Sequence, residues 1–505
     1  MAQANGNGPA QAAAIRRDPA AAAAADHDLI IVGGGIYGVM LALEAGRRGK
    51  RALLLERDDF GGATSRNHLR TIHGGLRYLQ SLDLPRFFES VGERRWFLAH
   101  FPALVHVLPC LMPLYGRGLL RPSIMRAALL LNDTLGLARN RGVPPGQRLP
   151  MGRIVGRAQA QRLFPQVDRR GLKAAALWYD AAMPEHQRLL MEILRWACGL
   201  GATALNYVQA GGLLRQQNQV RGVLAEDRLD GRAFEFRAPV VLNAAGPWSR
   251  ELAQSFDQDH PRLLQRRLLL FNILFRRKAL GEPALALVPP GRPGHTYFVH
   301  NWQGRLLAGT GEVLLADGER ETTPRPEHLA AFLADMNDAV PELALAEADI
   351  ENVYSGVLPA TPSGRLAAHE VILDHGALQG PAGLYSLSGV KYTTSRRVAE
   401  KALRKIYPAA RPRPCPPPPA AGSRRWFFAY DWRPGAGWDA DELRPLVEDE
   451  AVVRLDDLVL RRTGLGENPR RALEMLPRLR PLFPWSDGRW RQECDRLASL
   501  LGRRS

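Results

Sequence analysis

A glycine-rich segment near the N-terminus constrains the fold of this 505-residue chain more than any other feature. Residues 29–32 form a short apolar run rich in β-branched side chains, which predicts a buried parallel strand. Gly33, Gly35 and Gly38 follow with the spacing G-x-G-x-x-G, and a helical pattern begins directly after them. A strand, a glycine-rich turn and a helix in this order predict a doubly wound α/β domain.

Each part of this segment can contribute to binding a dinucleotide. The first glycine permits a tight turn, the second lets backbone approach a pyrophosphate, and the third lets the helix pack on the strand. The helix N-terminus at Ile36 and Tyr37 offers unpaired N–H groups to phosphates. A second strand over 53–55 ends at Glu56, placed to accept both ribose hydroxyls, and Arg57 follows it. We therefore predict a dinucleotide-binding site here.

A second block indicates which dinucleotide binds. Thr64 and Ser65 follow a Gly-Ala pair, and His73-Gly-Gly-Leu-Arg-Tyr-Leu79 comes shortly after them. This arrangement resembles the FAD-dependent glycerol-3-phosphate dehydrogenases, within the D-amino-acid-oxidase-like flavoprotein superfamily. The resemblance implies that FAD is the cofactor, that the His-Gly-Gly segment passes beside the isoalloxazine ring, and that Arg77 binds substrate phosphate.

Later segments extend the resemblance to about residue 407. A buried strand leads into Ala-Ala-Gly-Pro-Trp248, which is similar to the family segment at the flavin pyrophosphate. The family's Gly-Gly-Lys-Leu-Thr-Thr is Gly-Val-Lys-Tyr-Thr-Thr here, and the helix after it would stabilise reduced flavin together with Lys391. The resemblance implies further FAD contacts at His73, Gly74, Gly75, Val208, Ala245, Gly246, Trp248, Gly356, Gly389, Lys391, Tyr392 and Thr393.

Oxidation of a secondary alcohol needs a hydride acceptor, a base for the hydroxyl proton and an anchor for the rest of the substrate. The candidates for the base, among which the sequence does not choose, are His73, Tyr78, Lys391 and His300. The candidates for binding the substrate anion are Arg77, His300 and His369.

Two family arginines are replaced, which leaves the substrate open. One position, in the family's Tyr-Ser-Gly-Val-Arg-Pro, is Leu358 here, and an ungapped count back from Lys391 places the other at His369. Loss of two fixed charges weakens binding of a phosphate dianion. The alternatives are sn-glycerol 3-phosphate, another 2-hydroxy or amino compound with one anionic group, or a non-catalytic flavoprotein-like module that binds a membrane surface.

The charge balance favours anionic partners. The chain has 68 Lys and Arg against 51 Asp and Glu, a formal net charge of +17. A basic protein suits anionic substrates or anionic lipid, and without a recognisable nucleic-acid module we expect no nucleic-acid partner. The four cysteines lie far apart without a C-x-x-C motif, so we expect neither a disulfide framework nor a metal site, consistent with a reducing cytoplasm.

One basic segment raises the question of membrane contact. Residues 117–141 interleave Arg with Leu, Ile and Met, which is equally typical of a core helix and of a helix lying on a membrane. The resemblance favours the membrane, because the family is peripheral on the cytoplasmic membrane and delivers electrons to quinone. We expect a cytoplasmic protein at that membrane face, with no spanning helix. Another electron acceptor and a homodimer stay open.

The predicted fold is α/β, with a Rossmann-like FAD-binding domain, an antiparallel-sheet substrate domain and a small helical C-terminal domain. The FAD-binding domain is predicted in three segments of the chain, 27–80, 184–260 and 351–407. The substrate or cap domain is predicted in two segments between them, 81–183 and 261–350. A disordered tail (1–26) precedes these segments, and a Pro-rich linker (408–420) and the helical C-terminal domain (421–505) follow them.

Overall fold

The computed structural model describes residues 13–79, 82–116, 118–260, 266–292, 295–316, 319, 322–367, 369–414 and 440–502. Its strands are β1 Leu29–Val32, β2 Ala52–Leu55, β3 Thr71–Ile72, β4 His106–Leu114, β5 Arg153–Gly156, β6 Ala174–Ala182, β7 Thr203–Leu205, β8 Val208–Gln216, β9 Gln219–Asp227, β10 Ala233–Arg237, β11 Val241–Asn243, β12 Arg266–Lys278, β13 Ala284–Leu287, β14 Tyr297–Trp302, β15 Arg305–Leu314, β16 Ile350–Ala360, β17 Val371–Asp374 and β18 Leu384–Ser388. Its α-helices are α1 Pro19–Ala24, α2 Ile36–Gly46, α3 Leu76–Leu79, α4 Leu84–His100, α5 Pro122–Leu135, α6 Arg157–Leu163, α7 His186–Gly199, α8 Ser249–Ser255, α9 Pro326–Ala339, α10 Ser395–Ile406, α11 Arg444–Asp449, α12 Leu455–Asp457, α13 Pro469–Glu474, α14 Leu476–Leu479 and α15 Asp487–Gly502.

The predicted Rossmann-like domain is a six-stranded sheet in the order β17-β18-β11-β1-β2-β7. Its strands are parallel except β17, which runs antiparallel to β18. Every residue of β1 and β2 is buried, as expected for central strands covered on both faces. Helix α2 packs against α7 and α10, so one layer of helices covers the strand from which the glycine-rich turn leaves.

The glycine-rich turn has the predicted close contacts. Gly33 has φ +116°, and a Cβ there would lie 2.6 Å from the carbonyl oxygen of Ala244. A Cβ at Gly38 would lie only 1.8 Å from the carbonyl oxygen of Gly33. The third glycine therefore allows α2 to lie directly against the turn.

The substrate domain is built on a nine-stranded sheet in the order β16-β12-β15-β14-β13-β4-β6-β3, with β5 also paired to β6. Neighbouring strands are antiparallel except β13 and β4. The boundaries at 80 and 351 are wrong in detail, because β3 and β16 belong to this sheet. β16 belongs to the substrate domain because its backbone pairs with β12 from Arg266 to Phe275. β8, β9 and β10 form a separate antiparallel sheet.

The prediction of a disordered tail is wrong for residues 13–26, and residues 1–12 lie outside the described portion of the chain. Ile15 is 1% exposed, and its N–H donates to the carbonyl oxygen of Asp449 at 2.7 Å. Arg17 forms an ion pair with Asp227 at 2.6 Å. Helix α1 then uses the alanine run, since alanine is the best helix former. Contacts distant in sequence fix this segment.

The C-terminal region is helical, as predicted, over 440–502, with its own apolar core from α11, α12 and α15. The second part of the predicted linker (415–420) and the beginning of the predicted C-terminal domain (421–439) lie outside the described residues.

The basic segment forms α5, which has two kinds of apolar residue. Met125 and Leu129 are buried against β6 and its neighbours, as a core helix requires. Leu130 is 64% exposed, and Leu137 just after the helix is 80% exposed. In the described portion of the chain, no helix combines the length and apolar character needed to cross a bilayer.

Candidate active site

A cavity of about 870 Å³ extends from the carboxyl end of β1 to the nine-stranded sheet. This volume lies within the roughly 300–1,000 Å³ typical of ligand sites. The predicted cofactor residues on its wall are Gly33, Gly35, Ile36, Tyr37, Glu56, Arg57, Thr64, Ser65, Val208, Ala245, Gly246, Trp248, Gly356, Gly389, Lys391 and Tyr392.

Glu56 lies at the end of β2, where the dinucleotide fingerprint requires an acid. Its carboxylate accepts the N–H of Gly34 at 2.6 Å and the N–H of Asp58 at 2.9 Å. Burial raises the pKa of Glu56, and these two N–H groups offset only some of the increase. The backbone thus holds the carboxylate at the cavity wall.

The loop after β2 joins the two sheets across the cavity. Ser65 Oγ accepts the N–H of Ile36, the first residue of α2, at 2.9 Å. Thr64 Oγ1 donates to the carbonyl oxygen of Val357 in β16 at 2.7 Å. A Cβ at Gly356 would lie 3.2 Å from Thr64, so this glycine allows the loop to pass close to the strand. Both sheets therefore fix the loop.

Tyr37 fixes the loop that carries Lys391. Its hydroxyl donates to the carbonyl oxygen of Lys391 at 2.8 Å and accepts the N–H of the same residue at 3.1 Å. A Cβ at Gly389 would lie 2.0 Å from the Tyr37 ring, so only glycine fits there. Burial raises the pKa of Tyr37, which remains a neutral hydrogen-bonding group. The Lys391 loop is therefore attached to the N-terminus of α2.

The arrangement fits FAD on structural grounds. Gly246 has φ +59°, and a Cβ there would have no atom within 4 Å. The backbone at this position therefore borders open cavity. The N-terminus of α2, the acid Glu56 and the 870 Å³ cavity provide a phosphate site, a ribose site and room for an extended dinucleotide.

His73 is oriented by an acid that the sequence analysis missed. His73 Nδ1 donates to Asp180 Oδ2 at 3.2 Å, which leaves Nε2 as the acceptor nitrogen of the neutral ring. Arg94 Nη1 donates to Asp180 Oδ1 at 2.6 Å. Burial raises the pKa of Asp180, but His73 and Arg94 lower it by more, so the net direction is downward. Asp180 is the only charged residue in the apolar strand β6, and this isolated acid was the sequence signal that could have identified it as a functional residue.

The two glycines after His73 serve packing. A Cβ at Gly74 would lie 1.8 Å from Arg94 Nη1, and the Gly74 N–H donates to Asp180 at 2.7 Å. Gly75 turns the chain with φ +93° before α3. Among the residues that the structure describes, the predicted cofactor residues away from the cavity wall are Gly38, His73, Gly74, Gly75 and Thr393.

Two of the candidate catalytic residues, Lys391 and Tyr78, are in contact. Lys391 is on the cavity wall, and its ammonium group contacts the Tyr78 hydroxyl. Tyr78 lies on α3, five residues after His73. The contact therefore brings the segment containing His73 to the cavity wall at Lys391.

The three predicted anion-binding residues are not brought together. The buried His300 donates Nε2–H to the carbonyl oxygen of Leu69 at 3.0 Å, and burial lowers its pKa to about 4, so it is neutral at pH 7. His369 is exposed next to Glu370, and Arg77 is exposed on α3. His300 is therefore a structural residue, because a neutral, hydrogen-bonded imidazole is a poor anchor for an anion.

The end of the cavity at the nine-stranded sheet is lined by leucine side chains, one amide and one hydroxyl. Its wall includes Leu270, Asn272, Thr310 and Leu358, and Thr310 Oγ1 donates to Asn272 Oδ1 at 3.0 Å. Leu358 thus lies in the cavity at the position where the resemblance would place an arginine. Sequence analysis did not identify Asn272 or Thr310, because their approach depends on pairing of β12 with β15.

The C-terminal domain also contributes to the wall, although no such contact was predicted. Its contributing residues are Asp456, Leu460, Arg461, Arg496 and Leu500. Among the described residues, no cluster of His, Cys, Asp and Glu could hold a metal ion.

Comparison with known proteins identifies the family. The family model for FAD dependent oxidoreductases (DAO) matches residues 28–396. A glycerol-3-phosphate dehydrogenase from a Synechocystis species is 31% identical over 415 residues, 78% of this chain and 72% of the relative. Glycerol-3-phosphate dehydrogenase 1 from Mycobacterium tuberculosis is 32% identical over 391 residues, 75% of this chain and 72% of the relative.

A solved structure shares the fold over almost the whole chain. The glycerol-3-phosphate dehydrogenase from Bacillus halodurans, complexed with FAD, superimposes with a TM-score of 0.70 at 20% identity and covers 96% of each chain. The family match extends from the glycine-rich turn through the Lys391 loop, so it includes the cavity wall apart from the residues of the C-terminal domain. The chain belongs to the DAO family of FAD dependent oxidoreductases and is an FAD-dependent dehydrogenase similar to the glycerol-3-phosphate dehydrogenases.

Proposed function

We propose that this enzyme oxidises the hydroxyl-bearing carbon of a small anionic secondary alcohol, with His73 as the base that accepts the hydroxyl proton. Bound FAD supplies the hydride acceptor. The observation that carries the assignment is the pair His73–Asp180, in which one ring nitrogen is fixed as a donor and the other is free to accept a proton. This choice among the base candidates rests on geometry.

The surrounding residues suit that role. The charge of Arg94 keeps Asp180 ionised, and Asp180 holds the His73 tautomer and would stabilise the imidazolium after proton transfer. Lys391, held by Tyr37 and Tyr78, provides a positive charge on the cavity wall for an oxygen that carries negative charge. His300 is a poorer base candidate, because its ring is buried and burial lowers its pKa to about 4, so it accepts a proton weakly.

We propose sn-glycerol 3-phosphate, or a related compound with one anionic group, as the substrate. The names of the curated relatives support the first choice. Leu358 on the wall favours the second, because a leucine cannot pair with a phosphate dianion. The second candidate function is therefore oxidation of another 2-hydroxy or amino compound.

Anaerobic bleaching of the flavin in the purified protein tests the substrate. sn-Glycerol 3-phosphate would be compared with a panel of 2-hydroxy acids, polyols and amino acids. Rapid bleaching at modest concentration by glycerol 3-phosphate supports the first candidate. Bleaching only by another compound supports the second, and absence of bleaching by the whole panel would contradict both.

We further propose peripheral contact with the cytoplasmic membrane and transfer of electrons to quinone. The support is an exposed apolar surface formed by the start of α4, by α5 and by the turn after it. Its residues are Leu82, Leu84, Phe88, Ile124, Leu130, Leu131 and Leu137. Arg121, Arg126 and Arg141 are exposed on the same segments, which suits anionic lipid.

Sedimentation with phosphatidylglycerol vesicles tests this contact. Replacement of Leu130 and Leu137 by Ser should reduce the bound fraction, with little effect on folding because both side chains are exposed. The exposed Leu229 and Leu473, which lie on other elements, give a matched control when replaced by Ser. Equal binding by both double variants would contradict the assignment of this surface. Reduction of a soluble quinone, measured against oxygen consumption, tests the acceptor.

A further inference from the structure

The C-terminal domain contributes one wall of the cavity, although the match to the family model ends at residue 396. The contributing residues come from α12, from the π-helical segment Leu458–Arg462 after it and from α15. They are Asp456, Leu460, Arg461, Arg496 and Leu500. A domain that served only for assembly would not need to border the cofactor cavity.

The domain is attached to the loop after Glu56 by a buried ion network centred on Asp59. Arg461 Nε lies 2.6 Å from Asp59 Oδ2, and Arg462 Nη1 lies 2.7 Å from the same oxygen. Burial raises the pKa of Asp59, but the two guanidinium groups lower it by more, to about 2. Asp59 is fully buried and ionised, so the network requires the C-terminal domain to be in place.

A second attachment lies on the other side of Glu56, at the start of β8. The Tyr207 hydroxyl donates to Asp457 Oδ1 at 2.6 Å, and Asn206 Nδ2 donates to the carbonyl oxygen of Ala451 at 2.9 Å. The N–H of Val208 donates to the carbonyl oxygen of Glu56 at 2.8 Å. The two attachments therefore fix both loops that flank the acid expected at the ribose.

Arg496 differs from the buried arginines of this network. Arg461 contacts Asp59, Asp456 and Asp457 within the interior. Arg496 pairs only with Asp456 among these acids, at 3.0 Å, and its side chain is 43% exposed. It lies on the cavity wall and retains donors that can reach a ligand.

We propose that the C-terminal domain closes the FAD site over the adenosine diphosphate half of the cofactor, with Arg496 as a contacting residue. The loops at Asp59 and Tyr207 place this wall beside Glu56, the acid expected at the ribose, and beside Val208. A guanidinium there can donate to phosphate or ribose oxygens or stack on adenine. The domain then determines how tightly FAD is retained.

The test is the dissociation constant of FAD, measured by fluorescence quenching on full-length protein from which flavin has been removed. Arg496→Ala should weaken FAD binding about tenfold, the effect of losing one hydrogen bond to a charged group. ADP should be weakened by a similar factor, because it carries the proposed contact without the flavin. Arg496→Lys should restore some of the loss. Arg491→Ala, an exposed arginine on the same helix outside the wall, should bind both ligands normally.

Two results with Arg496→Ala would overturn the proposal. One is an unchanged FAD dissociation constant in Arg496→Ala. The other is weaker FAD binding with unchanged ADP binding, which would place the contact elsewhere on the cofactor. Asp456→Asn measures the contribution of support, because it removes the ion pairs of Asp456 with Arg496 and Arg461 and leaves both guanidinium charges. If Asp456→Asn alone reproduces the loss and Arg496→Lys restores nothing, Arg496 is not a contacting residue. Because no substrate is used, failure here is distinct from failure of the proposed reaction.

Discussion

The two ends of the cavity are built by different means. At the nucleotide end, glycines, a helix N-terminus and backbone N–H groups form the wall, and a buried ion network holds the loops. At the substrate end, individual side chains on separate strands form the wall, including Asn272, Thr310 and Leu358. The nucleotide end is defined by backbone geometry, and the substrate end by the identity of a few side chains.

The difference explains why one ligand is identified and the other is not. Backbone geometry at a glycine-rich turn allows few ligands. The distance at which the backbone can approach a pyrophosphate and the direction of the helix dipole toward it are both fixed. Side chains on a sheet can be exchanged without changing the fold. Substitutions at the nucleotide end should therefore have larger effects than substitutions at the substrate end.

Gly38→Val should abolish FAD binding. The Cβ alone would lie 1.8 Å from the carbonyl oxygen of Gly33, so α2 and the turn cannot keep their contact. The ratio of flavin absorbance at about 450 nm to protein absorbance measures the loss. Gly488→Ala in α15, where a Cβ has no atom within 4 Å, is the control and should retain flavin. Full flavin content in Gly38→Val would refute the importance of this contact.

His73→Asn should reduce kcat by a factor of about 10² to 10⁴, the usual contribution of a general base, while FAD content stays normal. The variant changes the substrate end without touching the cavity wall at the nucleotide end. Steady-state kinetics and a flavin spectrum measure the two effects separately. His369→Gln should keep wild-type kcat, because His369 is exposed just before β17, the edge strand of the six-stranded sheet, whereas Asp180, the partner of His73, lies in the nine-stranded sheet. Near-normal turnover by His73→Asn would remove His73 as the base.

Two buried neutral histidines, His300 in β14 and His375 beside β18, should each lower the unfolding free energy as the pH falls from about 6.5 to 4. Burial lowers the pKa of His300 and of His375 to about 4, so between these pH values the unfolded chain binds more protons than the folded chain. Each group should remove about 1.4 kcal/mol of unfolding free energy per pH unit across this window. Urea denaturation at pH 7 and pH 5 measures the change.

His375→Gln and His300→Gln separate the contributions of the two sheets. His375 lies beside β18 in the nucleotide-binding sheet, where Ser386 Oγ is 2.8 Å from its Nε2, and His300 lies in β14. Each substitution should lessen the difference in unfolding free energy between pH 7 and pH 5. A variant with the wild-type difference would show that its histidine does not control acid stability.

Leu358→Arg should give the smallest effect, an increase of about tenfold in kcat/KM for sn-glycerol 3-phosphate. An added guanidinium on the cavity wall can form a charge-assisted bond to phosphate. The same variant should gain nothing with an uncharged polyol. Leu366→Arg, at an exposed position away from the wall, is the control for added charge. No change with phosphate would indicate that the substrate anion lies elsewhere.

Much of the fold was predictable because its signals are local. The apolar run before Gly33, the glycine spacing and the acid at the end of the second strand predicted β1, α2 and β2. The family match also sets aside the alternative of a non-catalytic binding module. Membrane contact, quinone and the residue roles stay predictions.

The sequence alone determined the dinucleotide fingerprint of β1, α2 and β2, because it depends on residues close together in the chain. The resemblance of its motifs to a flavoprotein family indicated FAD as cofactor and the α/β fold. Only the tertiary structure decided that Asp180 orients His73, 107 residues away, and that Arg461 lies against Asp59, 402 residues away. It also placed His300 in a neutral structural role and residues 13–26 in an ordered segment. Burial and ion pairing between distant segments depend on how the strands pair, and no local pattern encodes that pairing.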